Sequence, residues 1–229
     1  TGMGEGDFRK VVEAWTEKPI ELAITHAHGD HFLHADLFRG SPIYMHKRDI
    51  DKLDYWYHMH EDLFAGHECR KEDFTPIWED SVIDLGGGYT VRVLEVPGHT
   101  PGSVVFYDEK RNLLFTGDAI GSGIGVWMIV PGGLTLSEYR EGLLHFAGRL
   151  RQLPPMRMYG GHLTQEGKPG TDHYNPLTLT TVTDMARLCE EILSGRIKGT
   201  PAENKFNEEP AFHAQWGKAS MEYRLSQMK

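Results

Sequence analysis

The 229-residue chain is poor in the features that mark several classes of protein. It has only two cysteines, Cys69 and Cys189, and neither lies in a C-x-x-C pair, so nothing suggests a disulfide framework or a cysteine-rich zinc site. No apolar run approaches the roughly 20 residues of a membrane-spanning helix. Basic residues number 24 against 33 acidic ones and form no stripe, which disfavours nucleic acid as a partner because phosphate binding needs clustered Lys and Arg.

What remains is the composition of an ordinary soluble globular protein. Apolar residues make up 39% of the chain and charged residues 25%. The length fits a single domain over residues 1–229. Low cysteine content favours the cytoplasm, and a homodimer is one of the oligomeric states left open. The sequence opens on Thr1 rather than methionine, so a leader peptide or an upstream strand would not be visible in it.

Histidine is concentrated in one stretch, residues 25–31, which holds three imidazoles and one carboxylate. These four side chains are His26, His28, Asp30 and His31. Histidine nitrogens and aspartate oxygens are ligands for zinc and similar metals. His26 and His28 can reach one ion from an extended backbone, and the two that follow could hold a second. The stretch therefore predicts a metal site.

The flanks of this stretch indicate where it lies in a fold. Residues 19–24 predict a buried strand before it. Phe32, Ala35 and Phe38 recur at helical spacing after it. A strand that passes through a ligand-rich turn into a helix is where α/β proteins place active sites.

Three more candidate ligands stand at predicted strand ends, each beside glycine: His99, Asp118 and His162. Glycine permits tight turns and a close approach of the backbone to a bound ion. With the first four, these residues make seven ligands. That number suits two four-coordinate ions if one carboxylate and one water are shared.

The remaining pattern predicts alternating helices and strands. Helices are expected after an Asp7 cap, from about Lys47, from a Thr135 capping box and over residues 176–193. Strands are expected over residues 42–45, 81–84, 90–96, 103–107, 112–115 and 156–159. Residues 54–79 break this rhythm, and we interpret them as a lid or insertion over a site. The tail from Lys198 onward is polar and predicts no distinct element.

Four motifs occur in order over residues 25–162: His-x-His-x-Asp-His, Pro-Gly-His-Thr-Pro-Gly, Thr-Gly-Asp and a late Gly-His. In this order they resemble the metallo-β-lactamase-fold hydrolase superfamily, over about 60% of the chain. The resemblance implies an α/β fold, a four-layer αββα sandwich with metals at one edge. Members usually begin with two strands before an Asp-Thr-Gly turn. This sequence starts as though cut just inside that turn, so we expect the first N-terminal strands to be lacking or not shown.

The resemblance also implies how the ligands divide. One metal would be held by His26, His28 and His99. The other would be held by Asp30, His31 and His162, with Asp118 and a hydroxide bridging the two. We expect two divalent ions per chain, zinc by preference, with iron or manganese as alternatives. Two cations lower the pKa of a shared water toward about 7, and Asp30 is the candidate catalytic residue that orients the hydroxide and moves its proton.

The expected function is a dinuclear metal-dependent hydrolase that uses the metal-bridging hydroxide on an ester, thioester, lactone or amide of a small molecule. Alternatives on the same fold are a mononuclear iron dioxygenase and a β-lactamase-like enzyme, and a third is a non-catalytic scaffold that retains metal. No cysteine lies near Asp118, unlike in class B1 β-lactamases. No glutathione-binding basic signature follows His162, unlike in glyoxalase II. The subfamily and the substrate therefore stay open.

Substrate contacts are expected from loops, since the ligands set the reaction and the loops set the substrate. The candidates are Tyr57, His58, His60, Trp127 and His173. His34 is expected to be structural, and His46 is expected to cap or orient a neighbour.

Overall fold

The computed structural model describes residues 1–59, 61–121, 125–165, 170–171 and 174–228. The chain divides into two compact units, Thr1–Trp78 and Glu79–Lys229. Among the described residues, no helix is both long and apolar enough to cross a membrane. The expectation of a single domain stays a prediction.

The first unit is built on a small parallel sheet. Its strands are β1 (Leu22–Ala23), β2 (Ile43–His46) and β3 (Thr75–Ile77), with β2 in the middle. Its α-helices are α1 (Phe8–Glu13), α2 (Gly29–Phe32), α3 (Lys47–Ile50), α4 (Leu53–Met59) and α5 (Glu61–Phe64). Two 3₁₀ segments, Leu33–Phe38 and Lys71–Asp73, complete the unit.

The strand before the histidine stretch is shorter than predicted. Residues 19–24 were expected to be extended, and only Leu22–Ala23 forms β1. In this segment, Leu22 N and Ile24 N donate main-chain hydrogen bonds to residues in or just before the adjacent strand, and Pro19 has no N–H to extend the ladder. The helical spacing after the stretch is confirmed, because Phe32, Ala35 and Phe38 are all buried along α2 and the 3₁₀ segment Leu33–Phe38.

Helix α1 begins as predicted, but its apolar stripe is not buried. The Asp7 carboxylate accepts a hydrogen bond from Lys10 N at 3.1 Å and caps the helix. None of the residues of α1 is buried, and Trp15 just beyond it is 83% exposed. The sequence therefore predicts helix α1 correctly but does not predict how far its apolar side chains are buried.

The second unit carries two sheets. The larger consists of β4 (Val82–Asp84), β5 (Thr90–Glu95), β6 (Val104–Asp108), β7 (Leu113–Gly117) and β9 (Arg157–Gly160). Its strand order is β4-β5-β6-β7-β9, antiparallel except where β9 lies parallel to β7. These confirm the predicted strands to within a few residues, including the hairpin of β6 and β7.

Two long helices pack against each other in this unit, α6 (Leu136–Leu150) and α7 (Leu179–Leu193). The Thr135 and Glu138 capping box starts α6 as predicted. Helix α7 begins later than residue 176, because the Thr178 side chain accepts from Thr181 N and takes the N-cap position.

The tail was expected to be indistinct, and this expectation was wrong. Residues from 198 onward form β10 (Thr200–Ala202), β11 (Ala211–Trp216) and β12 (Ala219–Arg224). Strand β12 also pairs in parallel with β8 (Val126–Trp127), which completes a sheet of order β10-β11-β12-β8. Ala219, Met221 and Tyr223 alternate into the core, and this period-2 signal of a strand was overlooked in the sequence.

Candidate metal centre

In the first unit, the end of a strand presents the histidine stretch. The last sheet bond of the chain before it runs from Ile24 N to Tyr44 O at 2.9 Å. Thr25 then lies in a bend, and no helix or strand covers the chain from Ile24 to His28, which occupies the N-cap position of α2 with φ −91° and ψ 149°. His26 and His28 are therefore presented from the connection between β1 and α2, and Asp30 and His31 from the first turn of the helix.

These four side chains lie close together within their unit. The ring centroids of His26 and His28 are 4.8 Å apart at 89°, and those of His26 and His31 are 4.0 Å apart. The Asp30 Oδ2 and His31 Nε2 atoms are 3.3 Å apart. His26 and His28 are buried, whereas Asp30 and His31 are partly exposed. The group thus has a buried imidazole pair and a more accessible carboxylate–imidazole pair.

A residue that the sequence analysis did not single out supports this stretch. The fully buried carboxylate of Asp49, on α3, accepts a hydrogen bond from Ala27 N at 3.0 Å. Ala27 lies between His26 and His28, so this bond fixes the backbone that carries both rings. His46 behaves as expected, since its Nδ1 accepts from Arg48 N at 3.1 Å and caps α3. A lone Asp in a short helix gave no signal of its role.

In the second unit, the other three predicted ligands also come together. His99 Nε2 lies 3.7 Å from Asp118 Oδ2, and His162 Nε2 lies 3.2 Å from the same oxygen. His99 is buried, whereas the His162 side chain is 44% exposed. Asp118 is thus flanked by two imidazoles, as a carboxylate that binds more than one ion would be.

The orientation of His99 is set by the backbone. His99 Nδ1 lies 3.1 Å from the Trp127 carbonyl oxygen, and since a carbonyl only accepts, Nδ1 carries the proton. Nε2 is then the nitrogen with a lone pair, on the side of Asp118. Metal-ligating histidines usually donate their other N–H to a carbonyl or carboxylate in this way. This geometry fits a metal ligand.

Close packing against Tyr139 fixes the position of the loop that carries His99. A Cβ atom at Gly98 would lie 2.0 Å from the Tyr139 ring, so only glycine fits there. The Tyr139 ring is itself buried, and its hydroxyl donates to the Ala119 carbonyl at 2.7 Å. Tyr139 therefore ties the loop before His99 to the turn that follows Asp118.

Asp118 lies just past the end of β7, in a turn that glycine makes possible. Gly117 has φ +51°, in the left-handed region. Its carbonyl accepts from Gly161 N at 2.9 Å, which ties the turn to the chain just before His162. The buried Thr116 hydroxyl donates to the Tyr159 carbonyl at 3.1 Å on the same side. Parallel pairing of β7 and β9 thus brings Asp118 and His162 to one sheet edge.

The residues predicted to contact the substrate differ in their surroundings. Tyr57 and His58 line a surface cleft of about 230 Å³ with Glu61, Phe64 and Glu68. The Tyr57 hydroxyl, however, bonds to the main chain of Cys69, accepting from its N–H at 2.8 Å. The Trp127 carbonyl serves His99, and His60 and His173 lie outside the described residues. Substrate contact by these five residues stays a prediction.

Both thiols are buried away from solvent, and burial raises their pKa values. The pKa of Cys69 rises to about 11 and that of Cys189 to about 12. Desolvation disfavours the thiolate, which is the form that binds metal or attacks a substrate. Neither cysteine is therefore suited to be a nucleophile.

Comparison with known proteins places the chain in a family. The model of the metallo-β-lactamase superfamily matches residues 2–162. A probable metallo-hydrolase of Bacillus subtilis, YqgX, is 28% identical over 61% of this chain and 70% of its own length. The hydroxyacylglutathione hydrolase of Bartonella henselae is 30% identical over 65% of this chain, and this match spans only 49% of that enzyme.

Solved structures agree on the fold. The structure of TTHA1623 in a di-iron-bound form superposes with a TM-score of 0.53 and 27% identity, covering 80% of this chain and 84% of the other. The fold class is thus the α/β sandwich that was predicted. The relatives' names point to a metal-dependent hydrolase in general, and the matched region includes every ligand motif. By sequence and by fold, the chain belongs to the metallo-β-lactamase superfamily.

Proposed function

We propose that the chain is a dinuclear metal-dependent hydrolase that cleaves a thioester or related acyl bond of a small molecule. One cation would be bound by His26, His28 and His99. The other would be bound by Asp30, His31 and His162, with Asp118 as the shared ligand. The observation that carries the proposal is the fixed tautomer of His99, whose Nδ1 is bonded to the Trp127 carbonyl and whose Nε2 lies toward Asp118.

The donor set suits two divalent cations. It combines five imidazoles with two carboxylates and uses no thiolate. Imidazole and carboxylate together suit zinc, iron and manganese. We favour zinc, and the di-iron form of TTHA1623 makes iron the alternative to test first. When bound, two such cations supply Lewis-acid polarisation of a carbonyl and hydroxide at neutral pH.

The chain's own residues would orient and move protons. The Asp30 side chain is 29% exposed, so its carboxylate can reach a water or a substrate as well as an ion. We assign it the role of accepting a proton from the attacking water and returning it to the leaving group. His26, His28 and His99, which are buried, would instead hold their ion rigidly.

A thioester is the first substrate to test. The Bartonella relative is named a hydroxyacylglutathione hydrolase, and hydroxyacylglutathione is a thioester of a small acid. The net charge of −9 and the absence of a basic stripe favour a small molecule over nucleic acid. Esters, lactones, amides and β-lactams belong to the same reaction class and form the rest of the panel.

The test compares the parent chain with Asp30→Ala and with His145→Ala. His145 is an exposed histidine on α6 that belongs to neither ligand group, so it serves as the control. We expect thioester turnover that a chelator removes and Zn²⁺ or Fe²⁺ restores, with kcat about 10²–10⁴-fold lower in Asp30→Ala. Full metal content with no turnover on any member of the panel would refute the hydrolase. Oxygen consumption with one iron per chain would instead indicate the dioxygenase.

A further inference from the structure

A second group of histidine and aspartate side chains lies in the first unit, apart from the seven predicted ligands. It consists of His34, Asp36 and His67. His34 and Asp36 lie on the 3₁₀ segment Leu33–Phe38, and His67 follows α5. One ligand atom from each of the three lies within 4.8 Å of the others. We propose that this group, the His34 cluster, binds an additional divalent cation with a structural role.

His34 is buried, with only 5% of its surface exposed. Its Nε2 lies 2.8 Å from the Gly4 carbonyl oxygen, and because that oxygen only accepts, Nε2 carries the proton. Nδ1 is then a buried acceptor, and it has no hydrogen-bond partner among the residues that the structure describes. A buried polar atom left in this state destabilises the fold, and a cation would satisfy it.

The arrangement also matches the way ligating histidines are held. When one ring nitrogen of a histidine binds metal, the other usually carries a proton and donates it to a backbone carbonyl or a carboxylate. His34 has that partner in Gly4, so its orientation is set and Nδ1 is the nitrogen left with the lone pair. This is the same relation that His99 has with the Trp127 carbonyl.

The other two members complete the donor set. His67 Nδ1 lies 3.2 and 3.3 Å from the two carboxylate oxygens of Asp36. The rings of His34 and His67 have centroids 5.1 Å apart at 89°, so the two edges can converge on one point. Two imidazoles and one carboxylate form a set that Zn²⁺ and Fe²⁺ both accept, with water or a second Asp36 oxygen in the remaining position.

An ion pair between Asp36 and His67 is the competing explanation. It accounts for the short distances between those two side chains, but within the part of the chain that the structure describes it leaves the buried His34 Nδ1 without a hydrogen-bond partner. The nearby Arg39 cation is engaged elsewhere, with Asp73 Oδ2 at 3.5 Å and the Glu68 carbonyl. A cation on the cluster satisfies all three side chains at once.

The place of the cluster indicates what the cation would do. His67 is on the loop that continues to Cys69, whose main chain is held by the Tyr57 hydroxyl. A cation shared by His67 and the 3₁₀ segment would fasten this loop to the chain that directly follows the His31 ligand. The His67 side chain is 36% exposed, which gives the ion a way in from solvent.

The experiment counts Zn²⁺ on the full chain after equilibration with zinc alone and removal of the excess. The parent is compared with His67→Ala and Asp36→Asn, and His145→Ala serves as the control. We expect each cluster variant to bind one equivalent less than the parent and the control to bind the same number. Because the readout is a difference, it holds whether or not the seven ligands bind two ions.

Thermal unfolding supplies a second readout and a check on folding. His67 is partly exposed in a loop, so its variants are expected to fold, with far-UV circular dichroism like that of the parent. Zn²⁺ should raise the Tm of the parent more than that of His67→Ala. Equal zinc equivalents in the parent, His67→Ala and Asp36→Asn would overturn the proposal and leave the ion pair as the explanation.

Discussion

At the scale of the residue, the predicted ligands depend on neighbours that carry no metal chemistry. Gly98 has no room for a side chain beside the Tyr139 ring, and Asp49 holds the backbone between two histidines. The Trp127 carbonyl sets the tautomer of His99. The Gly98 and Asp49 contacts can be changed by substitutions that leave every predicted ligand in place, so each tests whether ligand geometry is imposed by the surrounding structure.

Replacement of Gly98 by alanine should be strongly destabilising. The new Cβ would meet the buried Tyr139 ring at 2.0 Å, and neither group can move cheaply. Overpacking of this kind costs about 1–3 kcal/mol in the free energy of unfolding. The control is Gly148→Ala on α6, where a Cβ meets nothing within 4 Å. That change should be neutral or stabilising by up to about 1 kcal/mol. Urea denaturation measures the free energy of unfolding of both variants. Equal values would show that Gly98 is not packed against Tyr139 as described.

Replacement of Asp49 by alanine should weaken metal binding from a distance. It leaves the buried Ala27 N–H without its acceptor and loosens the backbone that carries His26 and His28. Loss of such a supporting contact typically lowers metal affinity about 10–100-fold. Competition with a chromophoric chelator measures this affinity. Asp51→Ala, an exposed aspartate just after α3, should leave it unchanged, and an unchanged affinity in Asp49→Ala would refute the role.

The two thiols should be inert in the folded protein. Burial raises the pKa of Cys69 to about 11 and that of Cys189 to about 12, so hardly any thiolate exists at pH 8. A thiol reagent should therefore label neither cysteine without denaturant and both in its presence. Rapid labelling of the native chain would show that these side chains are not packed as described.

At the scale of the element, the tail supports the loop next to His99. The buried Gln227 amide donates to the carbonyls of Met128 at 2.7 Å and Leu134 at 3.3 Å. That loop begins at Trp127, the hydrogen-bond acceptor of His99. The last residues of the chain thus help to position a predicted metal ligand.

Gln227→Ala should consequently lower both stability and metal affinity. The buried carbonyl of Met128 and the partly buried carbonyl of Leu134 lose their donor, a cost of about 1–3 kcal/mol in the free energy of unfolding. Gln215→Ala is the matched control, since Gln215 is exposed on β11 and should cost less than about 0.5 kcal/mol. Chemical denaturation and zinc competition check the two effects. A Gln227 variant that matches the control in both would show that the tail does not support the loop.

Elements with strong local signals were predictable from the sequence. The hairpin of β6 and β7 follows from alternating residues around a polar turn, and α6 from its capping box. In the tail, β12 does carry the alternation of a strand, which was overlooked, but its pairing with β8 was not predictable because it is long-range and parallel. Pairing across about 95 residues of sequence leaves no local trace.

At the scale of the whole molecule, the motifs could be assigned because His and Asp at fixed spacing are rarely required for packing alone. All seven predicted ligands lie beside others of the set within their own unit. The supporting contacts of Asp49 and Gln227 could not be assigned, because hydrogen bonds to a distant backbone follow from tertiary packing. The His34 cluster was missed for the same reason, since His67 is distant in sequence from His34 and Asp36.

We propose that His28 and His99 bind the same ion. The decisive measurement is the zinc content of His28→Ala, His99→Ala and the double variant, relative to the parent. Two ligands of one ion are not additive, so each single variant and the double variant should all lack the same one equivalent. If the losses instead add to two equivalents in the double variant, or if neither single variant loses zinc, the shared metal centre is refuted.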